Sequence, residues 1–237
     1  MRLLEYQGKE LFKEFGIPIP KSRMAFSIEE ARSLFKSELA FPIVLKSQVP
    51  VGGRGKAGAI KKCRNLGEVE SQFTMLQNKK IEGESPRGIL LEEVIDISKE
   101  LYVSLFLNRS ARCFSLIVSS AGGMDIESAK NRFIMDVNST DDIGDIANRI
   151  AGLAGLDSEN RQKFIEFVQN LHRLLYEKEA ELVEVNPAAL LINGSIVALD
   201  SKVILDDNAL FRHPELIKYE EATELEALAK KNGFSFV

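Results

Sequence analysis

Cysteine and histidine are scarce in this sequence, positive charge is not in excess, and no long apolar run occurs; each shortage removes a class of function. The two cysteines, Cys63 and Cys113, lie far apart, with no Cys-x-x-Cys pair and no histidine at ligand spacing. That excludes a disulfide framework and a thiolate metal centre, so both are expected to be reduced and structural. His172 and His213 are the only histidines, and neither adjoins a serine or cysteine motif. A histidine-based nucleophilic triad is therefore excluded and both are assigned to structure. Thirty-one Lys and Arg against thirty-five Asp and Glu give a formal charge of −4, without the basic balance that phosphate-backbone binding favours, so nucleic acid is not an expected partner. Nowhere do eighteen apolar residues run together, and the N-terminus shows neither a basic segment before an apolar run nor a small-residue cleavage site. The expectation is a cytoplasmic protein with no membrane partner.

What the sequence does contain is ordinary globular material. It is 45% hydrophobic and 28% charged over 237 residues, enough for one large domain or two lobes with a real core. Leu4, Leu11, Phe12 and Phe15 share one side of a first helix that Gly16 can close, and Ile17-Pro18 forces extension. Ser27-Ile28-Glu29-Glu30 reads as a capping box, with Ala31, Leu34 and Phe35 as the buried face that follows. Ile43-Val44-Leu45 predicts a buried strand with Lys46 at its exit, and Ala59 to Cys63 has strand character. Leu66, Val69, Phe73 and Leu76 predict a helix, and Ile89-Leu90-Leu91 a strand running into Glu92 and Glu93. Leu101 to Leu107 and Phe114 to Val118 predict an antiparallel pair turning near Asn108 to Ala111, with Gly122-Gly123 as a further loop. Apolar spacing of three and four predicts helices around Ile143 to Ile150 and Phe164 to Leu175. Asn193-Gly194, between strands at Ala188 to Ile192 and Ser195 to Leu199, is a strong hairpin signal. Glu220 to Asn232, charged and alanine-rich, predicts a last helix.

Four groups of residues carry chemistry. Gly53-Arg54-Gly55-Lys56-Ala57-Gly58 matches G-x-G-x-x-G in letters, but a dinucleotide fingerprint must open a helix and here a strand follows. No Gly-Lys-Ser or Gly-Lys-Thr makes it a P-loop. A glycine-rich turn between strands suits a flexible cover whose amides approach phosphate oxygens, and equally a surface hairpin with charged decoration. Lys46, on the strand feeding the loop, could reach the same phosphates as a point charge. Glu92, Glu93 and, beyond Ile95, Glu100 could serve a base edge through backbone groups and a ribose through a carboxylate; they serve equally as solvated carboxylates at strand ends. A two-residue Asn193-Gly194 turn would set Ile192 against Ser195 and Asp200 against Pro187. Asn186 and Asp200 would then lie on opposite faces, and sharing one cation would need a bulge. Their oxygens are hard ligands suited to magnesium, and equally to capping the hairpin end. Glu184 shares parity with Asn186.

The order of strand, glycine loop, strand, acidic linker and late Asn/Asp hairpin resembles an ATP-grasp fold: an α+β or α/β architecture of two lobes with mixed and antiparallel sheets flanked by helices. Five segments narrow the match. Glu5-Tyr6-Gln7 with Lys9 and Leu11-Phe12, Gly52 to Gly58, Lys99-Glu100-Leu101-Tyr102, Glu184-Val185-Asn186-Pro187 and Asn208-Ala209-Leu210-Phe211-Arg212 resemble the β-subunit family of succinyl-CoA synthetases, in that family's order. The resemblance implies an acid-thiol ligase: succinyl-CoA, phosphate and a nucleoside diphosphate become succinate, coenzyme A and the triphosphate. Lys46 and Gly53-Arg54-Gly55 would bind phosphates of ATP/ADP or GTP/GDP, Glu92 and the Ile95 backbone would lie at the base, and Glu100 would contact the ribose. Asn186 and Asp200 would hold Mg2+. Glu184 would meet a phosphohistidine carried by a partner α subunit in a hetero-oligomer. It further implies a smaller lobe over 20–105, a larger lobe over 1–19 and 106–237 bearing the metal hairpin, and a C-terminal CoA-ligase domain beyond this sequence. Ser201 and Ala121 depart from the family, which commonly has glycine and glutamate there. A malate-CoA or citrate-lyase-type ligase shares this nucleotide end, and an isolated chain could act as a non-catalytic nucleotide-binding module.

Overall fold

Alternation of apolar and polar residues along short strands builds two sheets, each with its own helices on one face. A computed structural model describes residues 1–120, 122–123, 131–219 and 232. The first sheet is formed by β1 (Ser22–Ala25), β2 (Ile43–Ser47), β3 (Ile60–Cys63) and β4 (Ile89–Glu93) in the order β1-β4-β2-β3. Ile43, Leu45, Ile89 and Leu91 are fully buried against helices α2 (Ile28–Ser37) and α3 (Leu66–Gln77), together with Val69, Phe73 and Leu76. By strand parity the other face carries Val44, Lys46, Leu90 and Glu92. Ser27 caps α2 by accepting from Glu30 N at 3.2 Å, and the Glu30 carboxylate reaches back to Phe26 N at 2.7 Å. The capping box is therefore closed one residue earlier than its usual form.

The second sheet runs β10-β8-β5-β6-β7, with β9 also paired to β8. Its strands are β5 (Lys99–Asn108), β6 (Cys113–Ser119), β7 (Arg132–Val137), β8 (Ala180–Leu190), β9 (Ile196–Ala198) and β10 (Lys202–Leu205). Leu101, Val103, Leu105, Leu116, Val118, Val183 and Val185 pack beneath α4 (Ile143–Leu153) and α5 (Ser158–Glu177), joined by Leu11 and Phe12 of α1 (Glu5–Glu14). So α1, first in the chain, belongs to the second core. Residue 105, where the sequence placed the change of lobe, lies inside β5; the chain passes from one sheet to the other between Glu93 and Lys99.

Of the expected mixed and antiparallel sheets, only antiparallel pairing occurs among the described strands. The cause is strand insertion: β4 lies between β1 and β2, so the crossover through α2 leaves its two parallel strands one place apart. Three strands absent from the sequence reading also emerge, β1, β7 and β10. The expected helix from Glu220 to Asn232, apart from Asn232 itself, and Ala121 lie outside the described residues.

The hairpin between β8 and β9 corrects the expected register. Leu191 N donates to Ser195 O at 2.8 Å and Gly194 N to Leu191 O at 2.9 Å, so Ile192, Asn193 and Gly194 all sit in the turn. Gly194 takes φ +74° and Asn193 Oδ1 accepts from Ser195 N at 3.0 Å, the pattern of a three-residue turn ending in a left-handed glycine. The shift by one residue pairs Ala188 with Ala198, and β10 continues the same register by pairing Lys202 with Glu184. Asn186 and Asp200 are the pair midway between them. They oppose each other on one face, and the bulge that a two-residue turn would have required for this is unnecessary.

Both cysteines are free; Cys63 is buried in the first core, where burial and then the Glu68 carboxylate push its thiol up to about 11. His172 lies on α5 beside Tyr176, and His213 contacts Glu179 at 2.9 Å. Among the described residues, no helix is long and apolar enough to cross a membrane.

Candidate functional site

Between the two sheets opens a cleft of about 890 Å³. The first sheet contributes Lys46 and Glu92 from adjacent strands, and the connection from β2 to β3 contributes Gly53, Arg54 and Gly55. Ile95 lines it from the passage between the lobes. The second sheet contributes Glu100 from β5, Glu184 and Asn186 from β8, and Asp200 after β9. Every side chain singled out in the sequence thus borders one cavity, although they come from both sheets.

The floor is an array of six buried or part-buried charges. Lys46 Nζ donates to Glu5 at 3.0 Å, to Glu92 at 2.6 Å and to the Leu199 carbonyl at 2.6 Å. Lys9 Nζ contacts the same three residues: Glu5 at 2.8 Å, Glu92, and the Leu199 carbonyl at 2.8 Å. Arg54 bonds Glu5 through one nitrogen and Asp200 through the other at 2.6 Å. Three cations meet three carboxylates, and each lysine ammonium has its three donors engaged. Burial alone would push the Glu5 carboxyl up, but Arg54, Lys46 and Lys9 outweigh it and hold it well below the usual range. Burial likewise opposes charge on Lys46 and Arg54, yet the facing carboxylates, Glu5 first, raise both above their ordinary values. Deleting one member of such a set strands an opposite charge in low dielectric, which costs about 3–5 kcal/mol.

Local sequence explains how the array forms. Glu5 and Lys9 are one helical turn apart on the inward side of α1, and Ser201 Oγ donates to the Glu5 carbonyl at 2.8 Å. Lys46 and Glu92 share the face of the first sheet turned away from α2 and α3, with Val44 opposite Glu92 in the register. Expected at a nucleobase, Glu92 has one carboxylate oxygen on Lys46 and the other on Lys9. The glycine loop turns back on itself: Ala57 N donates to Gly53 O at 2.9 Å and Ala59 N to Arg54 O at 2.9 Å, with Gly53 at φ +72°. Such a turn lets Arg54 reach across to the second sheet.

On the opposite wall, Gly123 N donates to Asn186 Oδ1 at 2.7 Å. A Cβ on Gly123 would lie 2.8 Å from Glu100 Oε2, so the glycine pair allows the close approach that seats Glu100 beside Asn186. Asp200 Oδ1 also accepts from Ser201 N at 2.7 Å. Glu184 pairs with Lys202 at 3.4 Å. The donor set of Asn186 and Asp200, one carboxamide and one carboxylate oxygen on a single face, fits a hard divalent cation that takes its other ligands from water and phosphate. No group of three or more acidic, histidine or cysteine side chains suited to a metal occurs among the described residues, so an all-protein cage is not formed there.

Glu5 and Lys9 were given no site role in the sequence reading. Their signal was present: two opposite charges at i and i+4 on a helix that buries Leu11 and Phe12 alongside them. Gln48, whose amide nitrogen lies 3.4 Å from Glu5, carried no such signal.

A family model described as an ATP-grasp domain matches residues 2–190. Over the whole chain, 36% of residues are identical to the succinate–CoA ligase (ADP-forming) subunit beta of Desulfurococcus amylolyticus, and the chain spans 65% of that relative's length. The ATP citrate lyase of Methanothrix soehngenii superposes over 97% of this chain and 59% of its own, with TM-score 0.74 and 18% identity. An acetyl-coenzyme A synthetase of Ca. Korarchaeum cryptofilum, in complex with coenzyme A and Ca-AMPCP, superposes over 86% of this chain and 93% of its own, with TM-score 0.70 and 20% identity. The last two are likenesses of fold.

Proposed function

We propose, from the premise that the chain belongs to the ATP-grasp family, that it is the nucleotide-binding part of a succinate–CoA ligase β subunit. In that role it passes a phosphoryl group between a histidine of a partner α subunit and a nucleoside diphosphate. The observation that carries the reading is the convergence of Lys46, the Gly53-Arg54-Gly55 loop, Asn186 and Asp200 on one cleft from opposite sheets. A polyphosphate would be gripped from both sides, by cations and amides on one and by a metal-ready oxygen pair on the other. The identity with the Desulfurococcus amylolyticus subunit supports the acid and the partner, and the nucleotide analogue with calcium in the Ca. Korarchaeum cryptofilum enzyme supports the choice of ligand.

In the forward step the P–N bond to histidine breaks as a terminal oxygen of the diphosphate bonds to phosphorus, and the histidine regains a neutral ring. Mg2+ bound by Asn186 and Asp200 would neutralise charge on the phosphate oxygens. Arg54 and Lys46 exchange one carboxylate partner each for phosphate oxygens, and Glu5 and Glu92 keep both cations protonated and in place. Ile95, between the lobes, offers backbone groups to the base, and Glu100 accepts from the ribose hydroxyls. Glu184 receives a ring N–H of the incoming histidine. Closure of the loop over the cleft excludes water that would hydrolyse the phosphohistidine.

The test is single-turnover transfer from the phosphorylated α subunit to ADP in the assembled enzyme, together with steady-state assays against succinate, malate and citrate. Transfer with succinate as the preferred acid is expected. Magnesium-dependent nucleotide binding without any transfer would overturn the reading.

A further inference from the structure

Lys9 is a buried cation outside the cleft that contacts the same groups as a cation inside it. Lys46, Glu5 and Glu92 border the cleft; Lys9, 2% exposed, lies behind them and does not. Glu5 Oε1 lies 2.8 Å from Lys9 Nζ and accepts from Lys46 Nζ at 3.0 Å. The Leu199 carbonyl accepts from the same two nitrogens at 2.8 and 2.6 Å. Glu92 divides its carboxylate, Oε2 to Lys9 and Oε1 to Lys46. Every group that holds the Lys46 ammonium is therefore also held by Lys9.

A buried carboxylate stripped of its cation is costly, so a lysine shared by two of them is ordinarily not free to serve a ligand. With Lys9 in place, Glu5 and Glu92 each keep an ammonium when Lys46 turns to the cleft, and the Leu199 carbonyl keeps a donor. Lys9 is moreover a like charge beside Lys46, and repulsion between the two favours the departure of the one with access to the cleft. The Lys9 bonds also join the lobes. α1 packs in the second core and Glu92 belongs to the first sheet, so the link from Lys9 to Glu92 persists when Lys46 gives up its own. Three cations, Lys9, Lys46 and Arg54, balance Glu5, Glu92 and Asp200 across the floor. Without Lys9 the floor beneath an anion site would carry net negative charge.

We propose that Lys9 is a positioning residue that stands in for Lys46 on Glu5, Glu92 and the Leu199 carbonyl, and so releases the Lys46 ammonium to the phosphates of the nucleotide. The proposal rests on the functional reading above and adds the residue that acts through Glu5 and Glu92. Lys9 itself touches no phosphate.

The test is calorimetry of Mg–ADP on the assembled enzyme, with thermal unfolding of each variant as the control for folding. Lys9→Met keeps an unbranched side chain and removes the charge. It is expected to weaken Mg–ADP by about tenfold or more, the scale of a hydrogen bond between charged groups lost at the phosphates. Adding Glu92→Gln removes one of the carboxylates left behind, and the double variant is expected to bind Mg–ADP about fivefold or more tightly than Lys9→Met alone. A merely structural role for Lys9 predicts no such recovery, since a second lesion in the same cluster would not tighten a ligand. An unchanged Kd in Lys9→Met, or no tightening when Glu92→Gln is added, overturns the proposal. Should Lys9→Met not fold, the double variant, whose charges balance, is compared with Glu92→Gln, and an affinity about tenfold weaker is expected; equal affinities overturn the proposal. Wild-type enzyme that binds no Mg–ADP would overturn the functional reading and this role of Lys9 with it, whereas wild-type binding with any of the failures above overturns the role of Lys9 alone.

Discussion

Arg54 in the glycine loop and Asp200 beyond the β8–β9 hairpin are joined by a 2.6 Å ion pair that spans the cleft between the two sheets. The contact places a cation on the carboxylate that the metal proposal needs. Arg54 and a divalent ion therefore compete for Asp200, and a divalent ion that wins frees the guanidinium for phosphate. Arg54→Met removes the competitor and one proposed phosphate ligand together. Its expected signature is opposite in sign for two ligands: Mn2+ alone binds more tightly, by up to about tenfold, and Mg–ADP binds more weakly by about tenfold or more. Calorimetry on both ligands checks this. Unchanged Mn2+ affinity would show that the pair does not gate the metal.

Asp200→Ala acts on the same pair from the other side. The variant loses a proposed metal ligand, and Arg54 retains Glu5 as a partner, so the fold is expected to survive while phosphoryl transfer falls by about 100-fold, the scale of losing one oriented electrostatic group. Single-turnover transfer with the supplied α subunit measures it. Rates equal to wild type would remove Asp200 from the metal site.

How much of this was legible follows from where each signal resides. Lys46, the glycine loop and Asn186 with Asp200 could be found because strand ends, glycines and an Asn-Gly turn are local features. The register that sets Asn186 opposite Asp200 was not, because it depends on whether Ile192 joins the turn. That choice is decided by Gly194 taking a left-handed conformation and Asn193 capping Ser195. β1, with only four residues, and β7, reading Arg-Phe-Ile-Met-Asp-Val, lack a strong apolar run. Phe133 and Met135 of β7 are partly buried against the core while Ile134 stays exposed, an alternation visible only once the sheet is known. Glu92 shows the deeper limit. Its position at a strand exit was clear, but its partner Lys9 lies 83 residues away on α1.

Ser201 packs against α1, and Gly8 of α1 is what makes room for it. A Cβ built on Gly8 would lie 2.5 Å from Ser201 Oγ and 3.2 Å from its Cβ. Ser201 Oγ is held by the Glu5 carbonyl, so it has little freedom to withdraw. Gly8→Ala is expected to destabilise by about 1–3 kcal/mol in the native background, overpacking outweighing the helix propensity gained. In a Ser201→Gly background the same change is expected to stabilise by up to about 1 kcal/mol, because only the propensity gain remains. Urea unfolding of the four proteins reads the sign. An equal cost in both backgrounds would mean that another contact forbids alanine at residue 8.

Glu179 provides a pH dependence well away from the cleft. It precedes β8, and its carboxylate takes two bonds from Arg212, at 2.7 and 2.6 Å, and lies 2.9 Å from the His213 ring, tying the segment after β10 to the second sheet. The Arg212 bonds, opposed by desolvation and then aided by His213, lower its pKa from 4.5 to about 2. A carboxyl depressed in the folded state contributes stability above its unfolded pKa and loses it as pH falls through the folded value. The site is solvent-exposed, so the contribution is screened and its size depends on salt. Comparing wild type with Glu179→Gln by thermal unfolding at low ionic strength, the gap in Tm is expected to be constant from pH 7 to about 5. It should shrink below about 4.5 and vanish near 2, with added salt narrowing it throughout the upper range. A gap unchanged down to pH 3 would mean that the carboxylate charge is not what holds this segment.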